Sequence, residues 1–167
     1  MATTKQGAKR PAATASAAKT DATALSERDH AEVKKLFKQY EKLAEADADG
    51  GQRQALAQEI CAMLTVHATI EEEIFYPAAR EAEVDDDLLD EATVEHASAK
   101  DLIAQIQSMG PDDELYDAKV TVLGEYINHH VQEEEGEMFP KCRRAKMDLA
   151  GLATALAQRK AELMAEA

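Results

Sequence analysis

The chain has 167 residues, enough for one domain with a sizeable core. It carries 33 Asp and Glu against 19 Lys and Arg, a formal charge of −14 that repels phosphate and argues against a nucleic-acid partner. With 45% hydrophobic residues, no Trp, 7 Gly, 4 Pro and only Cys61 and Cys142, the composition excludes a disulfide scaffold and reads as all-helical; no run of apolar residues is long enough to span a membrane.

Residues 1–24 stand apart. They are rich in Ala, Thr, Ser and Lys, with no large apolar residue after Met1. Lys5, Lys9, Arg10 and Lys19 against Asp21 give the segment +3, so the remaining chain carries −17. Such a stretch cannot bury enough surface to order itself, and a disordered tail is expected. It lacks the apolar h-region of a secretory signal; its acid-poor composition has something of a transit peptide, but a solubilising tail accounts for it more simply.

Helical segments follow in chain order. The first is expected over about 26–46, with Ser26 as N-cap and Asp29 three residues on. Asp47 to Gly51 breaks it. A second runs over about 53–83 and contains Pro77, which should kink it or mark its last stretch. Asp85, Asp86 and Asp87 open a third, acidic where the helix macrodipole favours anions, and Met109-Gly110-Pro111 ends it. A fourth covers about 112–139, interrupted by Pro140. A fifth covers about 148–166, with Leu149, Leu152, Leu156 and Leu163 on one stripe. The expectation is an all-α, antiparallel up-down four-helix bundle over residues 25–145, with an additional C-terminal helix over 146–167 docked on it or pairing with another chain.

Each bundle helix has an apolar stripe at i, i+3, i+4, i+7 spacing, and each stripe includes one His. The first reads His30, Val33, Phe37, Tyr40, Ala44. The second reads Leu56, Ile60, Met63, His67, Ile70 with Glu71, then Ile74. The third reads Leu89, Thr93, His96, Ala99, Ile103, Ile106, and the fourth Val120, Leu123, Ile127, His130, Glu134, Met138. A lone His on an apolar face is usually a hydrogen-bonded core residue. Four of them with two carboxylates in one core would carry a desolvation penalty of several kcal/mol. A metal ion removes that penalty by accepting the lone pairs.

The spacing supports this. His67 and Glu71 are i, i+4 on one helix face, so one divalent cation can take imidazole nitrogen and carboxylate oxygen together. His130 and Glu134 repeat the pair. The flanks repeat too: HATIEEEIFYP (67–77) aligns with HVQEEEGEMFP (130–140), each with an aromatic at +9 and Pro at +10. Asp29-His30 parallels Glu95-His96. The chain is two diverged copies of a helical hairpin, each carrying a His and then His-x-x-x-Glu. Three ligands per metal, with two metals bridged by carboxylate, is the economical arrangement. The ligand set lacks thiolate and contains imidazole, which disfavours structural zinc, Mg and Ca; iron fits best, with manganese or a mixed iron–manganese pair behind it.

These motifs resemble the hemerythrin-like HHE cation-binding family over about 26–142. The resemblance implies a four-helix bundle holding two iron ions as a non-haem di-iron centre. Its implied ligands are His30, His67, Glu71, His96, His130 and Glu134, with Glu71 and Glu134 bridging. There is a departure from the oxygen-carrying members, which have a second His on the third helix where this chain has Lys100. The pattern looks closer to bacterial hemerythrin-like proteins that respond to oxygen, peroxide or nitric oxide.

The expected ligand is therefore a small diatomic or peroxide, handled by an enzyme or by a non-enzymatic iron- or oxygen-responsive protein, in a cytoplasmic monomer or weak homodimer. Ile70, Ile74, Ile103 and Ile127 are expected to wall the centre off from water. His129, about 100° round from His130, is expected at the surface or against a ligand. Glu72 and Glu135 are expected in solvent or as alternate ligands, and Glu73 and Glu133 as surface charge. Tyr126 is expected beside a ligand or in the core. Both Cys are expected to be bystanders.

Overall fold

The computed structural model describes residues 20–167, all of whose regular elements are helical. The expected tail lies largely outside the described residues. Its last residues do not: α1 spans Ala22–Glu45, so Ala22, Thr23 and Ala24 are helical. The N-cap is Asp21, not Ser26. Its carboxylate accepts from the Ala24 amide at 2.9 Å and from the Thr23 hydroxyl at 2.6 Å, leaving Ser26 buried inside the helix.

Helix α2 spans Gly50–Ile70, α3 Tyr76–Glu81, α4 Asp86–Gln107, α5 Tyr116–Glu133, α6 Phe139–Arg144 and α7 Leu149–Glu166. Gly50 and Gly51, expected in the break, open α2 instead. The reversal comes earlier, at Asp47, whose φ of 50° ends α1 in the left-handed region. A Cβ on Gly50 would lie 3.1 Å from Pro111, so the close approach of two connections selects glycine there. On the other side of that contact, residues 112–115 form turns, and α5 starts later than the sequence pattern suggests.

In the bundle, α1 neighbours α2 and α5, and α4 also neighbours α2 and α5; α7 packs on α1 and α2. One apolar cluster, with Ile60, Leu64, Ile106 and Leu123, fills one end. A second, with Phe75, Leu89, Phe139 and Leu156, fills the other. The four expected His fall between the two clusters on their helices. On α4 the expected stripe is off by one residue: Thr93 faces solvent and Ala92 is buried in its place. Among the described residues no helix is long and apolar enough to cross a membrane.

Asp85 caps α4 through the Leu88 amide and accepts from Lys141 at 2.6 Å. The Lys141 contact, then the amide, hold its carboxyl below the usual value. That contribution is present above the ordinary carboxylate range and fades as pH falls through the lowered folded-state value. Asp85→Ala should therefore melt below wild type near neutral pH, with the difference closing in acid; thermal melts at several pH values check it.

Candidate metal centre

The site is built by two copies of one local device. After His67 the α-helix runs to Ile70, then widens into a π turn over Glu71–Phe75 before α3 starts with Pro77 in its first turn. After His130, α5 does the same over Glu134–Met138, and Pro140 lies in the first turn of α6. Pro77 is expected to kink its helix or mark its last stretch, and Pro140 to interrupt the next; each lies where a short last stretch begins. A proline cannot donate to the carbonyl four residues back and crowds it. The wide turn absorbs this: the Tyr76 and Phe139 amides reach back five residues, to the Glu71 and Glu134 carbonyls. The helix then restarts with proline where no donor is needed.

All six expected site residues come together. His30, His67, Glu71 and Glu134 each offer a ligand atom within 4.8 Å of the others, and so do Glu71, His96, His130 and Glu134. The two groups share Glu71 and Glu134. His67 Nε2 lies 2.9 Å from Glu71 Oε1, and His130 Nε2 3.2 Å from Glu134 Oε1. Crossed contacts join the halves, His30 Nε2 to Glu134 Oε2 and His96 Nε2 to Glu71 Oε2, each at 3.3 Å. Both carboxylates are fully enclosed.

A second layer of carboxylates backs the imidazoles. Glu135 hydrogen-bonds His30 Nδ1 at 3.0 Å, Asp29 bonds His67 Nδ1 at 3.3 Å and Glu72 bonds His96 Nδ1 at 3.1 Å. Glu95 Oε2 approaches His130 Nδ1 at 3.4 Å. The layer follows the repeat: Asp29 and Glu95 each precede the first His of a copy, and Glu72 and Glu135 each follow the Glu. Glu72 and Glu135, expected in solvent or as alternate ligands, orient histidines instead. Asp29 and Glu95 appear in the sequence comparison of the repeats, but only the packing shows that each serves the His of a neighbouring helix.

This layer tests whether a cation fits. A carboxylate bonded to Nδ1, as on His30, His67 and His96, places the neutral ring's proton there and leaves Nε2 as a lone pair. His30 Nε2 then faces His67 Nε2 at 3.1 Å, and His96 Nε2 faces His130 Nε2 at 3.1 Å. Glu71 Oε1 and Glu134 Oε2 are buried without a hydrogen-bond partner. Converging lone pairs and orphaned carboxylate oxygens are what a bound cation satisfies. The donor set therefore fits metal.

The electrostatics agree. Burial would push the Glu71 carboxyl up, but the adjoining His67 and then His96 hold it well below the usual range. Burial and the Glu71 charge oppose ionisation of Glu134, yet His130 and His30 bring it to about 2. Burial pulls His67 down, but Glu71 and Asp29 raise it to about 10; His130 is likewise raised to about 11, by Glu134 and Glu95. The enclosed carboxylates thus demand positive charge, which protons supply to the apoprotein and metal ions would supply in their place.

The two copies differ at one position that sequence reasoning missed. Tyr76 donates toward Glu134 Oε1 at 2.5 Å and Glu71 Oε2 at 3.1 Å, and its oxygen lies 3.2 Å from His96 Nε2. Burial, then the Glu71 and Glu134 charges, push its hydroxyl well above the usual value, so it stays a donor. Its counterpart is Phe139, stacked on His30 with ring centroids 6.1 Å apart. An α-helix puts residue i+5 about 140° round from i. The π turn brings the two onto one side, so Tyr76 reaches the carboxylate five residues before it. The repeated aromatic before each proline was the available signal. Tyr76→Phe should leave the fold intact and perturb a bound metal through Glu71, Glu134 and His96; circular dichroism and the optical spectrum of the metal-loaded variant check this.

Other expectations need correction. Tyr126 is neither in the core nor beside a ligand: it is 48% exposed and lines a surface groove with Glu95 and His129. The walls of the cavity beside the four histidines include Val33, Leu64, Ile103 and Ile127, whereas Ile70 and Ile74 belong to the other apolar cluster. This cavity of about 30 Å³ has room for one water-sized molecule. His129 and Glu73 are at the surface as expected, while Glu133 is half-buried. Cys61 and Cys142 are buried free thiols.

Comparison with known proteins agrees with the fold. A hemerythrin HHE cation-binding domain-containing protein from Mycobacterium kansasii superposes with a TM-score of 0.72 at 22% identity, over 88% of this chain and 89% of that one. A DNA nickase from Nostoc sp. is 32% identical over 80 residues, which are 48% of this chain; the chain spans about a fifth of that protein's length (22%). Residues 21–142 match the hemerythrin HHE cation-binding domain itself, from the cap of α1 into α6. With its duplicated histidines and glutamates gathered in one core, the chain belongs to the hemerythrin HHE cation-binding domain family.

Proposed function

We propose that the protein holds a non-haem di-iron centre and binds or reacts with O2, H2O2 or NO. His30 and His67 would hold one ion and His96 and His130 the other, with Glu71 and Glu134 available to both. The observation that carries this is the pair of four-residue ligand groups with two carboxylates in common. When bound, the iron pair supplies a change of oxidation state and an open coordination position. The chain does the rest. Asp29, Glu72 and Glu135 fix three of the rings and Glu95 faces the fourth, the apolar cavity admits one small molecule and excludes bulk water, and the Tyr76 hydroxyl offers one proton donor at the His96/His130 side.

Metal analysis of aerobically purified protein tests the reading; about two irons per folded chain are expected, with near-UV absorption typical of a bridged pair. Less than about one iron per folded chain would overturn it, and manganese in its place would change the metal but not the ligands. Optical titration with O2, peroxide and NO then identifies the ligand.

One observation favours a sensing role over turnover. Lys160 on α7 bonds Asp29 at 2.6 Å, and Asp29 bonds His67; Arg159 next to it bonds Glu73 in the π turn at 2.8 Å. The last helix is thus wired to the His67 side. In a sensor, iron occupancy shifts the docking of α7, and Lys160→Met narrows the gap in melting temperature between apo and loaded protein. Rapid catalytic loss of peroxide would favour the enzyme, whereas stoichiometric bleaching with a large melting shift would favour the sensor.

A further inference from the structure

The four carboxylates behind the imidazoles have different surroundings. Asp29 carries Lys160 and Glu72 carries Lys100. Glu135 is paired with His30. Glu95 alone of the four gathers further metal-type donors: one ligand atom each from Glu95, His129 and Glu133 lie within 4.8 Å of one another. His129 and Glu133 are i, i+4 on α5, with Nε2 and Oε1 3.3 Å apart, and Glu95 reaches them from α4. Among the described residues no Lys or Arg pairs with either carboxylate.

The group lies between solvent and the buried centre. The His129 side chain is 66% exposed, and the group borders a surface groove that Val94, Ser98 and Tyr126 also line. On the inner side Glu95 Oε2 points at Nδ1 of His130, a residue only 4% exposed, and neither atom has a hydrogen-bond partner. An imidazole with two carboxylates suits Fe(II), Mn(II) or Zn(II). Two adjacent carboxylates also raise the local cation concentration at the mouth of the groove.

We propose that Glu95, His129 and Glu133 form a third, solvent-facing cation site that captures a divalent transition metal and delivers it to the His96/His130 side. The delivery rests on the di-iron reading above; the capture does not. The site is open and has three donors, so it binds weakly and exchanges fast, as a transit position must.

Two measurements on the full chain test it, comparing wild type with His129→Ala/Glu133→Gln, whose side chains do not line the buried centre. Calorimetric titration of the purified protein with Zn(II) should show a weak event in wild type that the variant lacks. Anaerobic stopped-flow loading of apoprotein with limiting Fe(II) should be at least about tenfold slower in the variant, with the same final iron content. Identical Zn(II) titrations overturn the site, and identical loading rates overturn its role in delivery. If neither protein takes up iron, the di-iron reading and delivery fail together, and the Zn(II) titration alone decides the capture site.

Discussion

Chelating bound metal is expected to lower the melting temperature by roughly 10 °C. Ligand at a thousandfold excess over its dissociation constant stabilises a fold by about 4 kcal/mol, and each kcal/mol moves a domain of this size by about 2–4 °C. The physical origin lies in the core. Four imidazoles and two carboxylates occupy the space between the two apolar clusters, and Glu71 and Glu134 are wholly enclosed. Without metal their lone pairs converge on one another, and the only relief is to hold protons that make imidazolium–carboxylate pairs. Buried pairs of that kind recover their desolvation cost poorly. Circular dichroism melts of loaded, chelated and reloaded protein measure the difference. Coincident curves from protein shown to have lost its metal would mean that the buried set is satisfied without it.

Substituting a shared carboxylate is the second large effect. Glu134→Gln keeps the side-chain volume but removes the charge and one oxygen. Glu134 meets His130 through Oε1 and His30 through Oε2, and Tyr76 donates to it as well. Its loss should therefore weaken both proposed metal positions together, beyond the roughly 10–100-fold loss typical of removing an outer hydrogen-bond partner. His67→Ala, by contrast, should weaken its own position first. Metal content per folded chain and the near-UV spectrum separate the two. A Glu134→Gln protein that keeps one ion at full affinity would show that the carboxylate serves one ion only. Glu71→Gln is the symmetric control, because Glu71 joins His67 to His96 in the same crossed way.

Much of the site was legible in the sequence because helical periodicity is local. His67 with Glu71, and His130 with Glu134, share a face by i, i+4 spacing alone. The alignment of residues 67–77 with 130–140 then pairs the two halves. Features that break the α-helical period were hidden. The π turns at Glu71–Phe75 and Glu134–Met138 add a residue to the turn, so Tyr76 and Phe139 point where α-helical spacing does not put them. Tyr126, on the face that regular spacing from His130 suggests, is exposed instead. The start of α1 was misplaced because Ser26 and Asp21 are both good caps by type, and packing against the rest of the bundle decides between them.

The sequence by itself determined the helical class, the two-copy organisation and the six residues that meet in the core. Each of these depends on spacing within one helix or on likeness between two segments. Only the tertiary structure decided how the copies share their parts. Glu71 reaches across to His96 and Glu134 to His30; Asp29 backs His67, and Lys160 of α7 joins that contact. Those pairings run between helices far apart in the chain, where the direction of a side chain is set by how the helices pack and no local period records it.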